Sequence, residues 1–319
     1  MDNNHKKIVL KTLFFAALLG FFYLATAFVL SRTIVKGRRL MAYVNPMAVR
    51  LGGQEHKMTR EFNGNAKYDV FVLGSSHAYR GYDPRVFKSY GYELFNAGSS
   101  AQHPLISAVL LSNMAEQLEH KPLVIIDVYD RILEMDGDES VGRVMLNSAD
   151  IGMACEIFCA KPNIVAFNTL VGRWLLPDDF IEVEAKDYVG SGYCMRTDSL
   201  DEVLPPLKET FTMDDRAKGG IVDMVAWLKE NHCPFVFVSH PMPPRQGRET
   251  YHEFAVKELE SIVGTEQLVY LDFNNFDFGP QWRAYFGDAA HLNQAGVDLF
   301  NDMLIDSLES RGMLRKAPM

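Results

Sequence analysis

The chain has 319 residues, 48% of them hydrophobic and 12% aromatic, which leaves room for one domain of roughly 250 residues or two smaller ones and excludes a disordered polypeptide. Its net charge of -9, with no basic stripe, excludes a nucleic-acid binder. The four cysteines (Cys155, Cys159, Cys194 and Cys233) form no CxxC and no zinc-type spacing with histidine, so no metal site is expected; the better reading is buried free thiols, with Cys155 and Cys159 one turn apart on a helix.

In chain order, the first element is the uncharged apolar run Thr12–Leu30, preceded by Lys6, Lys7 and Lys11 and followed by Arg32, Lys36, Arg38 and Arg39. A run of about 20 apolar residues matches the bilayer core, whereas the core of a cleaved signal peptide is about 7–15 residues long and ends at a small-x-small site. Residues 1–32 therefore read as one retained transmembrane anchor that contacts the lipid bilayer through residues 12–30. Positive charges at both ends leave its orientation open: the count slightly favours a cytoplasmic C-terminal side, but long domains translocate largely regardless of such counts.

Residues 33–66, basic and polar with Gly52-Gly53 and Asn63-Gly64-Asn65 as breakers, read as a membrane-proximal stalk. From residue 67 to 319 the pattern becomes that of an α/β domain. Short apolar runs rich in β-formers predict strands at 68–73, 93–96, 123–128, 235–239 and 268–272. Helical periodicity occupies 104–119, 220–231, 251–263 and 295–308. Strands buried on both faces and alternating with helices predict a five-stranded parallel sheet in a flavodoxin-like three-layer sandwich. Residues 131–212, with Trp174, Tyr188, Tyr193, Pro205 and Pro206, break the alternation and read as an insertion placed to cap the sheet edge.

Ligands of an open parallel sheet sit beyond the carboxyl ends of the strands. The residues there are Gly74-Ser75-Ser76-His77, Asn96-Ala97-Gly98, Asp127-Val128-Tyr129-Asp130, Ser239-His240 and, directly before the last helix, Asp288-Ala289-Ala290-His291. One edge thus offers serine, histidine and aspartate. A hydroxyl becomes a useful nucleophile when a base takes its proton and a carboxylate orients that base.

In these blocks the chain resembles the SGNH (GDSL-like) hydrolase family, over about 200 of its 319 residues. Gly74-Ser75-Ser76 matches the first family block, Gly98 the glycine of the second, and Asp288-Ala289-Ala290-His291 the last, continued by Leu292-Asn293 and Gly296. The third block departs from the pattern: Tyr129 stands where the family has an oxyanion-binding asparagine. The resemblance implies Ser76 as nucleophile, His291 as base and Asp288 as its orienting carboxylate. It also implies Gly98 as an oxyanion donor together with the backbone N–H of Ser76, and no metal or organic cofactor. His77, beside the nucleophile, is either a substrate contact or a packing residue.

The implied activity is that of a membrane-anchored esterase or O-acyltransferase. Its substrate would be an acyl ester or envelope polysaccharide on the extracytoplasmic side, with a multi-pass membrane acyltransferase as a fitting partner. The departure at Tyr129 supports the alternative of a catalytically weak or inactive binding and scaffold protein on the same fold. An α/β-hydrolase fits less well because the G-x-S-x-G elbow lacks its second glycine, and no GxGxxG follows the first strand for a dinucleotide.

Overall fold

The computed structural model describes residues 3–44, 50–135, 137–176, 181–201, 204, 210–244 and 248–315. Its centre is a sheet of five parallel strands: β1 (Val70–Leu73), β2 (Leu94–Asn96), β3 (Leu123–Asp127), β4 (Phe235–Ser239) and β5 (Tyr270–Asp272). Their order is β2-β1-β3-β4-β5, the flavodoxin order, in which the chain leaves β1 in one direction and returns to its other side at β3. Every residue of β1, β2 and β3 is buried, which explains the near-continuous apolar runs of the sequence. Strand β4 fills its expected run in full, and the other four are shorter than theirs by one or two residues.

Alternate residues of each strand feed two cores. Phe71, Leu73, Phe95, Val124, Ile126 and Phe237 face one. Val70, Val72, Leu94, Ile125, Val236 and Val238 face the other. Besides the short turns Met41–Val44 and Asp130–Glu134, the helices are α1 (Asn3–Arg32), α2 (Gly53–Glu61), α3 (Ser76–Gly81), α4 (Pro84–Ser89), α5 (Pro104–Leu110), α6 (Asp138–Asn147), α7 (Ile151–Ala160), α8 (Ile164–Leu175), α9 (Asp215–Glu230), α10 (Arg248–Val263) and α11 (Gln294–Ser310). Helices α5, α9 and α10 cover the first face; α3, α4 and α11 cover the second. Pro104 and Pro84 open their helices at a position where no intrahelical donor is needed.

The stretch read as a stalk is partly a piece of the domain. Gly52, at a φ of 116° that suits glycine, caps α2 and receives the carbonyl of Val183 so closely that a Cβ would come within 2.3 Å of it. Helix α2 then buries Met58 completely in the first core, and its Gln54 donates to the carbonyls of Gly98 and Gly192 at 2.8 and 3.3 Å. Its breakers and polar residues hide this helix from a periodicity reading.

The insertion contains α6, α7 and α8, which pack on one another and, through α6 and α7, on α5, and the small hairpin Tyr188–Gly190/Tyr193–Cys194. The hairpin turn meets the edge strand β2, where the Asn96 N–H donates to the Ser191 carbonyl at 2.9 Å. Pro205 and Pro206 lie outside the described residues. All four cysteines are free. Cys194 and Cys233 are buried as expected, but Cys155 and Cys159 are exposed on α7, whose inward face is taken by Met153, Ala154 and Ile157. Helix α1 is long and apolar enough to cross a membrane.

Candidate active site

The switch point between β1 and β3 is where the chain has placed its serine. Strand β1 ends at Leu73, and Gly74 turns beside β3 with no room for a side chain: a Cβ there would lie 2.8 Å from Asp127 Cβ. Ser75 caps α3. Ser76 is therefore the first helical residue, half-buried, with its hydroxyl above the sheet edge.

Across 215 residues of chain, Ser76 Oγ lies 2.7 Å from His291 Nε2. His291 Nδ1 lies 3.0 Å from both Oδ1 and Oδ2 of Asp288. Since a carboxylate only accepts, Nδ1 carries the proton, and Nε2 is left to accept from the Ser76 hydroxyl. Asp288 Oδ1 also accepts from the backbone N–H groups of Ala290 and His291, both at 2.8 Å. Burial acts to raise the Asp288 carboxyl, but the hydrogen bond and charge of His291 and these two amides outweigh it and hold the group well below the usual carboxylate range. Asp288 therefore stays ionised.

The residues after His291 explain their own sequence. Leu292 is buried in the second core. Asn293 caps α11 by accepting from Gly296 N–H and donates to the carbonyl of Ala284 at 2.8 Å. Gly296 admits the Tyr285 carbonyl where a Cβ would sit 2.2 Å away. Together they fix the loop that presents Asp288 and His291.

The sequence leaves His77 as a substrate contact or a packing residue and gives Gly98 to the oxyanion; in the structure His77 packs and the Gly98 N–H is engaged within the chain. His77 is 2% exposed. Its Nε2 donates to the Ala290 carbonyl at 3.0 Å, and its Nδ1 accepts from Ser75 Oγ at 3.2 Å. It thus braces α3 against the His291 loop as a neutral ring. Its centroid lies 4.7 Å from that of His291, 4.2 Å from His240 and 3.8 Å from Tyr129. Burial, followed by repulsion from His240 and His291, pushes His77 well below its ordinary pKa.

Gly98 is likewise buried, and its N–H donates to Asn96 Oδ1 at 3.0 Å. A Cβ at this position would come within 2.8 Å of Ala78 Cβ and 2.9 Å of Tyr79 N, so glycine is required for close packing on α3. The Ser76 N–H, in the first turn of α3, has no protein acceptor among the described residues.

Two partners of the site are given no role by the sequence. Arg196, beyond the insertion hairpin, pairs through Nη1 with Asp288 Oδ2. Beneath the histidines, Asp127 at the end of β3 accepts from Tyr82 Oη at 2.7 Å and lies 3.7 Å from His240 Nδ1. His240, which follows β4, is 2% exposed and lies buried beneath the site. Tyr129 packs its ring at a tilt against His77 instead of offering an amide.

No family model matches the chain, and no curated protein matches it either. Solved structures do match. One is a Streptococcus pneumonia protein provisionally described as a platelet activating factor, with a TM-score of 0.42 and 10% identity over 84% of this chain and 97% of its own.

Proposed function

We propose that this chain is a serine-dependent esterase or O-acyltransferase of the SGNH kind. In this reading α1 holds it to a membrane and it acts, on the extracytoplasmic side, on an acylated envelope glycan or carrier. The observation that carries the reading is the unbroken hydrogen-bonded line from Ser76 Oγ through His291 to Asp288.

Along that line His291 Nε2 takes the Ser76 proton as the oxygen attacks an ester carbonyl. The bond to the leaving alcohol breaks, His291 returns the proton to that alcohol, and an acyl-Ser76 ester remains. Water or a sugar hydroxyl, deprotonated by the same His291, then attacks the acyl carbon and releases Ser76. The first acceptor gives hydrolysis, the second transfer. Ionised Asp288 stabilises the imidazolium that forms twice in this cycle. The Ser76 N–H supplies a donor to the developing oxyanion, and each such donor is worth about 3–4 kcal/mol of barrier.

The test is labelling of the purified full chain by a fluorophosphonate probe. Labelling of the parent and its loss in Ser76→Ala, together with loss of p-nitrophenyl acetate turnover, is the expected result. An unlabelled parent would sink the enzyme reading. That outcome would favour a scaffold on the same fold, which draws support from Tyr129 in the asparagine position and from the engagement of the Gly98 N–H with Asn96.

A further inference from the structure

Helix α8 has an apolar outer face. Its one charged residue, Arg173, is 8% exposed and donates to the Ser148 carbonyl. Outward it shows Ile164 (70% exposed), Val165, Phe167 and Trp174 (65%). A helix that turns an apolar face outward and keeps its one charge inside belongs in a core or in a membrane.

What lies beside this face is α1. Tyr23 donates its hydroxyl to Asn168 Oδ1 at 2.6 Å, and its ring stacks on Phe167 with centroids 5.9 Å apart. Four residues on in each helix, Ala27 and Val171 share one apolar cluster. The two helices therefore run side by side in the same direction, with the N-terminal end of α8 further from the end of α1 at Arg32. Tyr23 stands seven residues before Leu30, the end of the apolar run, which is about 10 Å of helix. Between the helices lies an apolar groove of about 470 Å³, lined by Phe22, Thr26, Leu30 and Val171 among others.

We propose that α8 is a second membrane element: its exposed face, and the groove it forms with α1, are filled by the acyl chains of the leaflet that α1 enters. The alignment with α1 identifies the occupant. If α1 spans the bilayer, Ile164, Val165 and Phe167 sit at hydrocarbon depth and Trp174 towards the interface, where tryptophan is enriched. The polar pair inside this zone, Tyr23 and Asn168, satisfy each other, as buried groups between membrane helices do. The domain is then wedged onto the bilayer with the sheet edge in a fixed orientation, whereas a flexible stalk would let it roam. An amphipathic helix with a basic polar face would lie flat on the surface; α8 has no such face and is held upright by α1.

The inference rests on α1 being a membrane span, and the experiment separates the two. Cys155 and Cys159 are first replaced by serine in the full chain. A bimane label is then placed at Ile164→Cys, at Phe22→Cys in α1, or at Val222→Cys on α9, where the side chain is exposed on the domain surface. Each variant is reconstituted in phosphatidylcholine/phosphatidylglycerol vesicles with and without doxyl-labelled lipid. The expected result is that Ile164 and Phe22 labels lose most of their emission to the doxyl lipid and the Val222 label keeps it. Quenching at Phe22 without quenching at Ile164 overturns the proposal and leaves the anchor. No quenching at Phe22 overturns both. An Ile164 label shielded from aqueous iodide, unquenched by lipid, and released on dilution of protein in the bilayer means a second copy covers α8, and that also overturns it. The exposed variant Trp174→Cys repeats the measurement should Ile164→Cys fail to fold, with the same outcomes.

Discussion

The guanidinium of Arg196 holds Oδ2 of Asp288, so the insertion reaches into the hydrogen-bonded line of Ser76, His291 and Asp288. Arg196 is committed to this place in three ways. Its Nε also pairs with Asp198 at 3.1 Å, its carbonyl accepts from Gln294 N–H at 2.7 Å, and its stem lies over Gly287, where a Cβ would come within 2.6 Å of Nε. The loop that carries Asp288 and His291 is thus clamped from the insertion side. Two backbone amides still hold Asp288 Oδ1 when the arginine is gone. Arg196→Gln should therefore lower kcat on a short acyl ester by roughly ten- to a hundredfold, as loss of a charged hydrogen bond worth about 1.5–3 kcal/mol implies. The fold should persist by circular dichroism. Unchanged kcat would show that the pair does not help orient His291.

Ser76 and His291 should fail together. Each alone disables the same proton transfer, so Ser76→Ala, His291→Gln and the double variant should all fall to the same residual rate. Ser76 is half-buried and, among the described residues, its hydroxyl bonds only to His291, so Ser76→Ala should leave the unfolding midpoint within experimental error. A double variant that falls by the product of the two single losses would mean that serine and histidine act independently.

The strands were legible because burial on both faces demands unbroken apolar runs, and Val70–Leu73 or Phe235–Ser239 have no other reading. Ser76 and the pair Asp288 and His291 were legible as candidates because one block follows β1 and the other directly precedes α11, and the fold brings the two within hydrogen-bond distance. What escaped the sequence is what depends on tertiary contact. Arg196 meets Asp288 across 92 residues with no local signature. Helix α2 buries Gln54, Glu55 and Thr59 beside Met58, so its inward face looks polar. His77 could be placed beside Ser76, but only the packed rings of His240, His291 and Tyr129 show that it faces away from solvent.

The burial of α2 has an energetic consequence. Met58 is fully buried among the residues of the first core. Met58→Ala removes those contacts and leaves a cavity, which should cost about 2–5 kcal/mol. A true stalk residue would cost nothing measurable, so urea unfolding in detergent micelles discriminates: an unchanged midpoint would mean that α2 is not docked. Gly53–Glu61 should also resist proteolysis as long as the domain is folded.

Three buried groups beside the triad make stability depend on pH with opposite signs. Burial, helped by the nearby His291, pushes His240 down from 6.5 to about 3, and His77 is lowered in the same way. Neutral in the folded chain, each takes up a proton on unfolding. Their contribution to stability is complete above the ordinary histidine value and is lost as pH falls towards the folded value. Asp127 runs the other way: burial raises it from 3.8 to about 7, against the donation from Tyr82. Its contribution is complete below the ordinary aspartate value and is lost as pH rises through about 7. Between about pH 4.5 and 6 each group changes the stability by up to roughly 1.4 kcal/mol per pH unit. In urea unfolding across that window, His240→Phe should make the loss of stability on acidification shallower by about this amount, and Asp127→Asn should make it steeper. The two slopes must move in opposite directions. A slope unchanged by His240→Phe would mean that His240 titrates alike in both states, and a shallower slope in Asp127→Asn would mean that the carboxyl is ionised in the folded protein.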